Sequence, residues 1–161
     1  MQVFIKNKIF SLGGSSVVVT ADNRPIYNIK GKVFSPTRKK YVMDLNGNIL
    51  FTLRNKFFNW FVHRVYIYDV QGNKIATVKD KFFNTNKEYI IEGMRDEIRT
   101  EGQFFSLSTT IYRNNVPIGR INRQVTLIAD AFSLEAKDCD IPFLIALVIA
   151  IDNIVDAKLN S

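Results

Sequence analysis

From Ile141 to Ile151 the segment "IPFLIALVIAI" carries no polar side chain, and this run limits the possible folds more than any other feature. Such a run is either a bilayer span or a helix surrounded by protein. A span needs about 20 largely apolar residues, whereas runs of about 10–14 are the length of a buried core helix. This run has 11 residues and is followed at once by Asp152, Asn153 and Asp156. Its leading edge has helix chemistry. Asp140 suits the N-cap, Pro142 the first turn, and Asp138 adds negative charge near the positive dipole end. Apolar side chains from 143 to 151 cover the whole circumference, so a helix over about 141–157 has no face for water. It must be enclosed. A helix is about 10–12 Å across, and a closed barrel of about a dozen strands can take one inside.

The rest of the chain supplies such strands. Short β-rich or alternating runs recur at intervals of about ten residues. They are "VFIK", "SVVVTA", "PIYNIK", "KKYVMDL", "NILFTLRN", "FVHRVYIYD", "KIATVKD", "KEYIIEG", "FFSLSTTIY", "VPIGRINR" and "DAFSLEA", all within 1–136. No amphipathic helical pattern precedes residue 137. An internal repeat orders part of the series. "DLNGNILFTLRNKFFN" (44–59) aligns without gaps on "DVQGNKIATVKDKFFN" (69–84) at an offset of 25, with 8 of 16 positions identical. Each copy reads as a glycine turn, a strand and a basic-aromatic corner. Fainter echoes link "IYNIKGKVFS" (26–35) to "LFTLRNKFFN" (50–59), and "PIGRINRQV" (117–125) to "PIYNIKGKV" (25–33). Gly47 and Gly72 are expected to occupy equivalent turns with positive φ. Repeated hairpins without alternating helices predict a mainly β fold, a closed antiparallel barrel around a C-terminal helix.

Length and composition are consistent with one domain over 1–161. The 161 residues are 47% apolar and 23% charged, the composition of a globular chain with a real core. A single cysteine, Cys139, excludes an internal disulfide framework and fits a reducing compartment. The segment "MQVFIKNKIF" lacks the apolar core of a signal peptide. The expected location is cytoplasmic, with peripheral membrane association if the protein binds lipid.

The residues also reach a family. "ADAFSLEAKDCDIPFLIALVIAID", preceded by "PIGRINRQV", resembles the C-terminal signature of LURP-one-related proteins. That signature has a basic strand (here Gly119 to Arg123), a strand opening with Asp and an aromatic (Asp130, Phe132), a loop with Asp (Asp140), and an apolar helix ending in Asp152. The family commonly has Tyr where Phe132 stands. The resemblance implies the tubby C-terminal-like fold, a 12-stranded barrel around a central hydrophobic helix, with phospholipid scramblases as distant relatives. Tubby domains bind phosphoinositides, but no residue of this chain matches their binding positions, so no site carries over.

No catalytic signature stands out, and the chain is read as a non-enzyme without cofactor or metal. His63 lacks a partner motif and reads as structural. Cys139 lies between Asp138 and Asp140, whose charges oppose thiolate formation. Metal-ligand spacings are absent, and "SLGGSS" (11–16) lacks the phosphate-loop pattern. Asp96, Glu97 and Glu101 alternate with Arg95 and Arg99 and read as a salt-bridged surface loop. Asp152 and Asp156, one helical turn apart near the negative dipole end, need cationic or backbone partners at the barrel rim.

Charge is the informative feature. Residues 1–66 hold 11 Lys and Arg against Asp22 and Asp44, a net of +9; the remainder of the chain nets −2. Lys30, Lys32, Arg38, Lys39 and Lys40 surround a Ser-Pro loop, and Arg54 and Lys56 recur in the aligned unit beside Phe57, Phe58, Trp60 and Phe61. These residues predict a binding module for an anionic ligand or phospholipid surface, with nucleic acid the less favoured partner. Changing Arg38, Lys39 and Lys40 together is expected to remove binding and spare stability. The alternative is a structural or protein-interaction barrel whose charge serves solubility, and whose protein partner the sequence does not name.

Overall fold

The computed structural model describes residues 1–6, 15–32, 34–57, 62–80, 89–101, 108–125 and 130–159. In chain order these form β1 (Gln2–Lys6), β2 (Ser16–Thr20), β3 (Pro25–Gly31), β4 (Lys40–Met43), β5 (Ile49–Asn55) and β6 (Arg64–Tyr68). There follow β7 (Lys74–Asp80), β8 (Tyr89–Gly93), β9 (Ile98–Glu101), β10 (Ser108–Arg113), β11 (Val116–Val125), β12 (Asp130–Ala136) and the helix α1 (Ile141–Leu159). All strand pairs are antiparallel, and each strand pairs with its sequence neighbours except at two places. There β1 pairs with β12, and β8 lies against β9, which nearly closes the barrel.

Period-two alternation selects the inner wall. Ile29, Val42, Leu53, Val65, Ile67, Ala76, Val78, Ile111 and Leu134 are all buried, and Lys30, Arg54 and Tyr66 beside them point outward, although Thr77 is covered. The helix occupies the space these side chains line. Ile141 and Leu144 to Ile151 are at most 2% exposed, so the helix is covered on every side, as its lack of a polar face requires. It touches β4 to β7 on one side and β11 and β12 on the other. Gly119 lets it approach β11, because a Cβ there would lie 2.4 Å from Leu144 Cδ1. At its start the backbone carbonyl of Asp140 accepts from Leu144 N at 3.1 Å, and Arg113 Nη1 donates to the Asp140 carboxylate at 3.0 Å.

The aligned repeat folds as two equivalent hairpins. Gly47 N donates to Asp44 O at 3.2 Å and Gly72 N to Asp69 O at 3.1 Å. In both turns the Asp carboxylate accepts from the amide two residues past the glycine's predecessor, Asn48 N or Asn73 N, at 2.8 Å. Gly47 has φ 88° and Gly72 φ 83°, so the glycines supply the left-handed residue these turns need. The β4–β5 register shifts at Val42/Met43 and the β6–β7 register at Ile67/Tyr68, again 25 residues apart. No atom lies within 4 Å of a Cβ built on either glycine, so a substitution there costs only backbone strain. Gly47→Ala and Gly72→Ala are each expected to destabilise by about 1 kcal/mol, read as a lowered denaturation midpoint at unchanged slope. Loss of less than a few tenths from both would contradict the turn assignment.

One expectation is corrected. The segment read as a salt-bridged loop around Arg99 contains β9, the twelfth strand, absent from the runs picked out by pattern. Its ion pair, Arg99 Nη1 to Glu101 Oε1 at 2.6 Å, lies on an outward face and is joined by Tyr112 Oη at 2.7 Å. Four residues with two charges gave the pattern too little alternation to register.

Candidate functional site

Antiparallel order determines which loops share a rim. One end of the barrel carries the Gly47 and Gly72 turns and the start of α1. The opposite end gathers the ends of β3, β5 and β7, the starts of β4, β6 and β8, and the last turns of α1. All seven basic residues singled out by sequence belong to β3, β4, β5 or the segments beside them at this second rim.

They differ sharply in exposure. Lys30, Lys32, Arg54 and Lys56 are exposed, Arg38 and Lys39 are half-buried, and Lys40 is buried. Lys30 and Arg54 lie on the outer wall, since Ile29, Leu53 and Asn55 take the inward positions. A tyrosine surface accompanies them. Lys30 pairs with Tyr41, and Arg54 with Tyr66. Lys39 Nζ sits 5.1 Å from the Tyr41 ring centre, and Arg54 Cζ 5.6 Å from that of Tyr68. Such cation–π contacts hold the charges in place without neutralising them. None of Lys30, Lys32, Arg38, Lys39, Arg54 and Lys56 has a carboxylate partner among the described residues. Three cations of the acidic half are different. Lys79 pairs with Glu92, Arg99 with Glu101, and Arg113 with Asp140.

Lys40 is a correction to the surface assignment. It shares the inward face with Val42, and its Nζ lies 3.2 Å from Asp152 Oδ2, with side chains 8% and 14% exposed. The lysine therefore belongs to the scaffold, and replacing it does not spare stability. Asp152 finds the cationic partner its place on the helix demanded. The side chain of Asp156 lies outside the described residues, as do Phe58, Trp60 and Phe61 and the glycine pair of 11–14. Next to Asp152, the fully buried Asn153 donates through Nδ2 to Arg38 O at 3.3 Å, and Asn55 Nδ2 reaches Asn153 O at 3.5 Å. The helix end thus holds the loop that displays the cations.

A second polar group lies on the same rim. His63 N donates to Asp80 Oδ1 at 2.8 Å, and His63 Nδ1 is 3.8 Å from Asp80 Oδ2. Burial, then the charge of Asp80, pushes the Tyr89 phenol up to about 12. A carboxylate accepting from backbone fits the structural reading of His63. Cys139 is exposed, and its Sγ lies 3.8 Å from Asp140 Oδ2. Phe132 is buried, where a tyrosine hydroxyl would need a partner. Among the described residues no cluster of metal-ligating side chains occurs, and no helix is long and apolar enough to cross a membrane.

Comparison with curated proteins returns no match. Among solved structures, the X-ray structure of a protein from Arabidopsis thaliana is similar, with a TM-score of 0.63 at 20% identity. The similarity covers 94% of this chain and 89% of the plant protein, and at that identity it establishes the shared fold. The family model described as LURP-one-related matches residues 1–152, from the first strand to the ion-paired aspartate of the helix. On that match, the chain belongs to the LURP-one-related family.

Proposed function

We propose that this barrel is a non-catalytic module that binds an anionic phospholipid surface through its basic rim. The observation that carries the reading is the contrast in pairing. Six cations on one rim have no carboxylate partner among the described residues, while Lys79, Arg99 and Arg113 of the acidic half each have one in place. Unneutralised like charges held together raise the local potential and attract anions. Strands β3 and β5 are two strand spacings apart, about 10 Å. That is comparable to the Debye length of about 10 Å at 0.1 M salt, so the fields of Lys30, Lys32 and Lys56 add.

Co-sedimentation with phosphatidylcholine vesicles, with and without phosphatidylserine, tests this reading. Wild-type protein is expected to pellet only with the anionic vesicles and to be released by salt. Each lysine near such a surface contributes about 1 kcal/mol, so Lys30→Gln, Lys32→Gln and Lys56→Gln together should weaken binding roughly 100-fold. Exposed substitutions of this kind change stability by about 0.5 kcal/mol or less. A single-stranded oligonucleotide runs in parallel, because the same charges attract phosphodiesters. Wild-type protein that ignores anionic vesicles at low salt overturns the proposal and leaves the protein-interaction barrel in its place.

A further inference from the structure

The loop between β3 and β4 presents an aromatic ring that contributes nothing to the barrel. Phe34 is 97% exposed, and its φ of 58° lies in the left-handed region. For a residue with a Cβ that conformation carries a steric cost, and a ring in water gains no burial to offset it. Glycine or asparagine would suit the backbone better.

The loop is nonetheless tied down by hydrogen bonds. Lys32 N donates to Lys39 O at 2.8 Å and closes the loop. Within it, Arg38 N donates to Ser35 O and Lys39 N to Ser35 Oγ, each at 3.0 Å. From below, Asn55 N donates to Thr37 O at 2.8 Å, and Asn153 Nδ2 to Arg38 O at 3.3 Å. Backbone, strand β5 and the central helix together hold Phe34 at the tip of a loop whose other side chains include Lys32, Arg38 and Lys39. Phe57, 57% exposed, stands two residues past Asn55 beside Lys56.

We infer that Phe34 is a membrane anchor, inserting its ring into the interfacial region of an anionic bilayer while the flanking cations meet lipid phosphates. The inference rests on the reading of the basic rim as a phospholipid-binding surface and adds to it an apolar, salt-independent component. An aromatic tip among cations matches the two layers of such an interface, hydrocarbon below and anionic headgroups around. Charge selects this occupant over a protein pocket. A protein anchor sits at the centre of a patch that excludes water, whereas Phe34 is 97% exposed on a loop that also carries Lys32, Arg38 and Lys39.

The test places a reporter at the tip. In a Trp60→Phe background, Phe34→Trp is the sole tryptophan. Its emission is expected to shift to the blue, and to be quenched by brominated lipid, on vesicles containing phosphatidylserine and not on phosphatidylcholine alone. If Trp60→Phe lowers stability, Phe34→Cys in a Cys139→Ser background, carrying an environment-sensitive dye, gives the same readout. Phe34→Ser should weaken vesicle binding about tenfold while leaving the slope of affinity against salt unchanged. Wild-type binding with an unshifted reporter and an unaffected Phe34→Ser overturns the anchor and leaves the electrostatic surface standing. No wild-type binding to vesicles overturns both. A reporter that responds to a single-stranded oligonucleotide and not to vesicles also overturns both, in favour of base stacking.

Discussion

Leu147→Asp is expected to leave the chain without a cooperative thermal transition. Leu147 is fully buried at the middle of a helix whose neighbours on every side are buried too. No rotamer carries a carboxylate from there to water, and the surrounding wall is Ile, Val and Leu. An unpaired buried charge costs several kcal/mol, and the lost packing of a core leucine adds about 2–5. Total stability for a domain is about 5–15 kcal/mol. Circular dichroism melting checks the result, with Leu147→Met as the control that keeps volume and costs less than about 1.5 kcal/mol. A melting curve for Leu147→Asp that superimposes on wild type would show that the helix is not enclosed.

Lys40→Met carries the second large effect. It removes one member of an ion pair whose side chains are 8% and 14% exposed, taking the ammonium away from Asp152 in a nearly dry site. Breaking a pair in this way costs about 3–5 kcal/mol, or roughly 10 °C in Tm for a chain of this size. Asp152→Asn takes the carboxylate away from the ammonium. The double variant Lys40→Met/Asp152→Asn is expected to be more stable than the sum of the two losses predicts, by about 1 kcal/mol or more. Strict additivity in that cycle would mean that the two groups do not interact. The cycle also separates scaffold from surface, since the exposed lysines of the same rim should show no such coupling.

The enclosed helix and most strands were legible because each rests on a local signal. Apolar side chains around a full circumference leave a helix only one kind of environment, and the 44–59 and 69–84 units repeat the turn chemistry that places their strands. Lys40 was misplaced although its signal was present. Counting back in twos from the apolar Val42 puts it on the inward face, but three adjacent cations in "RKKY" read more readily as one exposed cluster. Its partner could not be read at all, because the meeting of Lys40 with Asp152, 112 residues away, depends on how far the helix penetrates the barrel. The same holds for His63 and Asp80, which the β6–β7 register brings together. Phe34 gave no warning either. Phenylalanine has no preference for the left-handed region, and the hydrogen bonds that close its loop come from residues distant in sequence as well as near.

The position of the helix in the chain has a consequence for biosynthesis. The barrel wall needs the helix to fill it, yet α1 is made after all twelve strands, and β1 must wait for β12 to complete its pairing. At about 5–20 residues per second, roughly 10–30 s separate the emergence of the first strand from that of the helix. Throughout that interval the nascent chain carries inward-facing Ile, Val and Leu with nothing to cover them, and strand edges with no closing partner. The barrel therefore closes only once the helix has been synthesised, and until then its unfilled wall is surface on which chaperones can act.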